Sequence, residues 1–282
     1  PIRAHAGGGG NIPTQPNRTS AAKGKAPKKK KGFPWQAILG VILSLLIIGI
    51  IFVGMQYFRI ASTLPSVAEL RSRTSQFETT RILDRNGNIL YEMVDPNAGK
   101  RTYVPLERIS PYMIAATIAT EDKEYYNHPG FDVVAVARAL WQNYTSGEIV
   151  SGASTITQQL ARMLLLEEER FEQSYERKAR EIILAAEITR RYSKEEVLEL
   201  YLNEIYYGNL AYGVEAAAET YFNTTAADLN LWQAAFLAGL PQSPAIYDVY
   251  NNREATLTRS RAVLVLMYQL SEEKNCIYIG EN

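Results

Sequence analysis

The sequence predicts a mainly α-helical domain with a small β-hairpin element, preceded by one transmembrane helix. Three observations carry this. Residues 35–58 contain no charged side chain, and Ala37–Met55 is apolar almost without interruption. Asn86-Gly87, a strong hairpin signal, separates two short apolar runs, Ile82-Leu83 and Ile89-Leu90-Tyr91. From Ser110 onward, helix-capping residues and apolar side chains at helical spacing recur almost to the end.

The chain has 282 residues and zero formal net charge, but the charges are unevenly placed. Residues 1–34 carry eight Lys/Arg and no acid, including Lys28–Lys31. They are also rich in glycine and proline, too poor in apolar side chains to fold, and are expected to form a disordered basic tail. Beyond residue 58, 22 Lys/Arg then face 30 Asp/Glu, a net of minus eight, which argues against a nucleic-acid binder. The span Ala37–Met55, at ~1.5 Å per residue, is roughly 28 Å long and matches a bilayer core. Trp35 and Tyr57-Phe58 suit the two interfaces, and the preceding lysines place the N-terminus in the cytoplasm. No small-residue cleavage site follows closely, so the span is read as a retained anchor rather than a signal peptide. The chain opens on Pro1 and is expected to be a fragment of a longer protein.

Residues 59–79 read as a polar juxtamembrane connector, and residues 80–282 as the folded domain. Arg81–Tyr91 is strand, turn, strand, and Thr102-Tyr103-Val104 is expected to add another strand. Ser110-Pro111 starts a helix leading to Glu121, with serine as cap and proline at the first helical position. Asp132 caps the next helix, Val133–Tyr144, and residues 145–152 read as a polar loop. Thr155 with Gln158, Ser193 with Glu196, and Asn230 with Gln233 each have capping-box spacing. They open helices beginning near 156, at 194 and over Leu231–Leu240. The second is expected to run to Gly208. A long helix is expected over Glu176–Arg191 after a charged, mobile stretch, Glu167–Gln173, and a last one over Thr258–Leu270.

One cysteine, Cys276, excludes an internal disulfide and a cysteine-based zinc site. Two histidines, His5 and His128, leave little material for a histidine metal cluster or a Ser-His-Asp triad. Carboxylates are the groups left for acid–base work. Glu121 and Asp122 end the apolar helix over Tyr112–Ala119, just before two tyrosines and the helix-breaking His128-Pro129-Gly130. A carboxylate at the mouth of an apolar helix has reason to carry a raised pKa. In Arg177-Lys178-Ala179-Arg180-Glu181, Arg177 and Lys178 precede Glu181 by four and three residues and share its helix face. Taken alone, that pattern also fits a pair of surface ion pairs. Upstream, Gln158 and Gln159 could hydrogen-bond a sugar or phosphate, and Gln158 equally fits a helix cap.

Together these segments resemble the peptidoglycan glycosyltransferase domain (glycosyltransferase family 51) of class A penicillin-binding proteins and monofunctional transglycosylases. Residues 120–130, TEDKEYYNHPG, resemble the first motif of that family, and 151–162, SGASTITQQLAR, the second. Residues 177–181, RKARE, resemble the third, 193–208, SKEEVLELYLNEIYYG, the fourth, and 259–267, RSRAVLVLM, the fifth. The resemblance covers about residues 80 to 270. Tyr125 stands where phenylalanine is usual, and Ser260 where the fifth motif usually has a second arginine.

The resemblance implies a lysozyme-like fold and polymerisation of lipid II into glycan strands by β-1,4 transfer, with release of undecaprenyl pyrophosphate. It makes Glu121 the catalytic base and Glu181 the second catalytic glutamate. Ser154, Thr155, Gln158, Gln159, Arg162, Arg170, Arg177 and Lys178 would bind substrate. Glu181 would orient those cations or hold a divalent ion, Mg or Mn, at the pyrophosphate; no further cofactor is expected. Implied partners are lipid II, the lipid-linked strand, membrane lipid and other cell-wall synthesis proteins. The implied place is the bacterial cytoplasmic membrane, single-pass, with the domain outside, as the N-terminal part of a bifunctional penicillin-binding protein. The competing expectations are a glycan-strand hydrolase of similar fold, which would have no pyrophosphate to bind, and a non-enzymatic scaffold, which would need neither glutamate.

Overall fold

The computed structural model describes residues 35–74, 79–87, 89–94, 99–146, 154–169, 171–172 and 174–273. The chain divides into two units, residues 1–52 and 53–282. Helix α1, Trp35–Ala61, carries no charge before Arg59. Its stretch Ile38–Ala61, 24 residues with an 18-residue window of mean hydropathy 3.0, is long and apolar enough to cross a membrane. Most of its leucines, isoleucines and valines are exposed, as a lipid-facing helix requires.

In the second unit, a 3-10 turn over Val67–Glu69, capped by the Ser66 hydroxyl, leads into α2, Leu70–Thr74. Val67 and Leu70 are buried in the domain core. The segment expected to be only a polar connector thus supplies part of that core. Strands β1, Thr80–Leu83, and β2, Ile89–Met93, pair antiparallel. Gly87 in their turn has φ +88°, which glycine adopts without a Cβ clash. Arg81 pairs with Glu92 across this hairpin at 2.8 Å and ties it to Glu219 at 2.6 Å.

The further strand falls at Lys100–Arg101 (β3), not at Thr102–Val104, and pairs in parallel with β4, Ala211–Tyr212. The reason is local. The Val104 N–H donates to the Asn203 side-chain oxygen at 2.9 Å, and the Val104 carbonyl accepts from the Asn203 side-chain nitrogen at 2.8 Å. Both ladder groups of Val104 are committed to one side chain and cannot pair with a strand.

Helix α3, Pro111–Glu121, ends at the predicted acid. Ser110 occupies its cap position but makes no cap bond; its hydroxyl donates to the Leu229 carbonyl at 2.6 Å. Asp132 caps α4, Val133–Ser146, by accepting from the backbone N–H groups of Val134 and Ala135. Residues 147–153, most of the expected loop, lie outside the described residues. All three capping boxes form, opening α5 (Ile156–Leu165), α7 (Lys194–Glu204) and α9 (Leu231–Gly239). Each box satisfies two backbone N–H groups that the helix start would otherwise orphan, about 1 kcal/mol per cap. Helix α6 runs over Tyr175–Arg191 and α10 over Arg253–Glu273.

Helix α7 stops at Glu204, four residues before Gly208. Ile205 is extended, its carbonyl accepts from Gly213 N–H at 2.9 Å, and Tyr206 bridges to Tyr212. A helix not foreseen from the sequence, α8, spans Val214–Phe222. In the core, α3, α9 and α10 pack together, and α5 packs against α6 and α7. The first group carries Glu121 and the second carries Glu181, so the site forms where the two groups meet.

Candidate active site

Glu121 is the last residue of α3, and one of its carboxylate oxygens accepts from the Gln159 side-chain amide at 2.7 Å. Gln159 is set by the start of α5. The Thr155 hydroxyl accepts from the Gln158 N–H at 3.2 Å and donates to the Gly130 carbonyl at 2.6 Å. The Gln158 side-chain oxygen accepts in turn from the Thr155 N–H at 3.1 Å. Burial pushes the Glu121 carboxyl above the usual carboxylate range, against the Gln159 bond and the charges of Arg259 and Arg162. A glutamate tuned upward is a better proton acceptor near neutral pH than an exposed one.

Asp122 is not a spare neighbour. Its two oxygens lie 2.9 and 3.0 Å from His128 Nε2, and one accepts from the Ile156 N–H at 3.1 Å. Asp122 therefore clamps the turn after α3 to the first residue of α5, and so holds Glu121 and Gln159 in register. Gly130 closes the turn at φ +89°, where a Cβ would stand 2.4 Å from the Ala185 carbonyl of α6. A cavity of about 500 Å³ opens here, with Glu121, Asp122, His128, Arg138, Ser154 and Thr155 in its lining.

Glu181 is 1% exposed and is wrapped by cations. Arg177 donates to one carboxylate oxygen, with Arg162 3.9 Å from the same oxygen. Lys178 donates to the other at 3.0 Å. The pattern read from the sequence as one helix face is therefore a partly buried cluster and not a pair of surface ion pairs. Lys178 also donates to the Ser154 hydroxyl at 2.5 Å and to the Gln158 side-chain oxygen at 3.2 Å. Burial lowers the Lys178 pKa, and Glu181 partly restores it.

The structure thus brings Ser154, Thr155, Gln158, Gln159, Arg162, Arg177 and Lys178 together with the two glutamates. Arg170 and residues 151–153 lie outside the described residues. Three participants escaped the sequence reading. Arg259, the first residue of the fifth motif, acts electrostatically on Glu121. Tyr201, fully buried in the fourth motif, donates to the Gln159 side-chain oxygen at 3.2 Å. Asp122, with His128, is the third. The two departures also find physical reasons. Tyr125 is buried, and its hydroxyl donates to the Lys194 carbonyl at 2.6 Å, so the extra oxygen is satisfied. Ser260 is 2% exposed, so a charged side chain there would have to be desolvated.

A divalent ion does not fit at Glu181. Both of its oxygens are engaged by cations, which would repel a metal. Among the described residues, no group of three or more His, Cys, Asp or Glu could hold one.

A buried carboxylate held by an amide, joined through α5 to a second carboxylate wrapped in cations, is the arrangement of an acid–base site next to an anion-binding cluster. A family profile described as transglycosylase matches residues 86–268, and the chain belongs to that family. Penicillin-binding protein 1A of Aquifex aeolicus is 42% identical over 234 residues, 82% of this chain and 30% of that protein. Penicillin-binding protein 1A/1B of Bacillus subtilis is 37% identical over 252 residues, 89% of this chain and 27% of that protein. The chain spans less than a third of the length of these curated relatives.

Proposed function

We propose that this domain polymerises lipid II into peptidoglycan glycan strands, as the transglycosylase part of a penicillin-binding protein. The observation that carries this is the charge balance at Glu181. One carboxylate faces Arg162, Arg177 and Lys178, which leaves two positive charges for an anion. A hydrolase of neutral glycan strands has no use for them.

The reaction follows from the residues. Glu121 takes the proton of the acceptor's 4-hydroxyl as that oxygen attacks the donor's anomeric carbon. The bond from that carbon to the pyrophosphate oxygen breaks on the opposite face, giving inversion and a β-1,4 bond. Arg162, Arg177 and Lys178 meet the charge that develops on the departing undecaprenyl pyrophosphate. Glu181 holds those three side chains in place.

Lys178→Ala and Arg162→Ala each remove one charge-assisted phosphate contact. Each is expected to lower kcat/KM for lipid II by about 10- to 100-fold, measured on variants matched for thermal stability. Unchanged polymerisation in both would remove this role. Release of sugars from purified strands, without polymerisation of lipid II, would instead establish the hydrolase.

Helix α1 is proposed to anchor the chain in the cytoplasmic membrane, with the lysine-rich tail inside and the domain outside. Protease added to intact spheroplasts is expected to digest the domain and spare the tail. The reverse pattern would overturn the topology.

A further inference from the structure

With Glu121 as the base, we propose that Tyr201 is a positioning residue: its hydroxyl fixes which end of the Gln159 amide faces Glu121, and so sets the proton affinity of the base. A glutamine amide offers a donor nitrogen and an acceptor oxygen at nearly equal distances, and exchanging them costs no space. The orientation is decided by what each end meets. The Gln159 nitrogen donates to Glu121 at 2.7 Å, and the Gln159 oxygen accepts from Tyr201 at 3.2 Å.

Gln159 and Tyr201 are both buried, at 9% and 1% exposure, so water does not substitute freely for either partner. Burial also pushes the Tyr201 phenol well above its usual pKa, so it stays protonated and remains a donor. In the flipped orientation, the amide oxygen would face the Glu121 carboxylate, acceptor against acceptor. The phenolic hydrogen would lose its acceptor as well. Two bonds therefore enforce one orientation, and that orientation favours the ionised base.

The other groups acting on Glu121 set the background. Asp122, adjacent on the chain, raises its proton affinity, while Arg162 from α5 and Arg259 from α10 lower it. Tyr207, buried beside α7, is coupled to it electrostatically. None of these bonds the Gln159 amide among the described residues, so Tyr201 is the group besides Glu121 itself that holds its orientation.

The test titrates Glu121 directly in the full chain, in detergent micelles. Infrared difference spectra follow the protonated-carboxyl band, assigned by its loss in Glu121→Gln. Tyr201→Phe removes the hydroxyl and keeps the ring. Without the Tyr201 bond the amide can turn its oxygen to accept from protonated Glu121, and the Glu121 midpoint is expected to rise by about one pH unit. In a Gln159→Leu background, which has no amide to orient, Tyr201→Phe should produce no further rise. An unmoved midpoint in Tyr201→Phe, or an equal rise with and without Gln159, overturns the proposal. Should Tyr201→Phe fold poorly, the wild type carries the test through Gln159 amide protons labelled with nitrogen-15. They must shift with the Glu121 midpoint and cease to do so in Glu121→Gln; amide protons blind to that titration overturn the proposal. The acid limb of lipid II polymerisation keeps the two levels apart. If the midpoint rises while the acid limb stays, Tyr201 sets Glu121 as proposed, and it is Glu121's role as the base that fails.

Discussion

Glu121→Gln is expected to lower the single-turnover rate of lipid II polymerisation by roughly 100-fold or more, with the domain still folded. The amide keeps the size of the carboxyl and can still hydrogen-bond Gln159, but it cannot accept the hydroxyl proton. The same substitution carries a stability signature with a definite sign. Burial raises the Glu121 pKa in the folded state, so the protonated form is the one the fold favours. That contribution is fully present below the unfolded value near 4.3 and is lost as pH rises through the folded value. At neutral pH the wild type therefore holds a buried charge that the amide avoids. Glu121→Gln should melt at or above the wild-type temperature at pH 7, and the difference should shrink toward pH 4. A variant that is slow but also markedly less stable at pH 7 would place Glu121 in the architecture rather than in the chemistry.

Glu181→Ala should act in the opposite manner. Removing a carboxylate that is 1% exposed strands Arg177 and Lys178 without their shared partner. Breaking a buried pair of this kind costs about 3–5 kcal/mol, because the remaining charges stay partly desolvated. Chemical denaturation should report that loss as a lower midpoint at unchanged slope. Stability within 1 kcal/mol of wild type, on the scale expected for exposed pairs, would mean that the cluster is looser than its hydrogen bonds indicate.

These two glutamates were legible in the sequence for different reasons. Glu181 shows itself through spacing, since residues three and four apart on a helix must meet. Glu121 shows itself through the abrupt end of an apolar helix. The capping boxes at Thr155, Ser193 and Asn230 were legible for the same local reason: both partners lie within four residues. What failed to show is non-local. The β3–β4 pairing joins Lys100 to Ala211, and no short-range pattern announces it. Helix α8 follows Gly213, which offers no side-chain cap, so its start carries no signal. Asn203 takes both backbone groups of Val104 across 99 residues and removes a strand that local composition favoured. The Tyr201–Gln159 bond spans 42 residues, and from sequence alone Tyr201 is only one more apolar position on α7. The N-cap at Ser110 had the right residue, but a tertiary acceptor, the Leu229 carbonyl, took its hydroxyl.

In the proposed mechanism Glu121 moves the proton and the cations around Glu181 hold the pyrophosphate. The most direct test measures lipid II binding and single-turnover joining side by side in Glu121→Gln and Lys178→Ala, at matched stability. This mechanism predicts that Glu121→Gln binds lipid II with near wild-type affinity and fails to join it, whereas Lys178→Ala binds it weakly. Near wild-type joining by Glu121→Gln, or near wild-type binding of lipid II by Lys178→Ala, would contradict it.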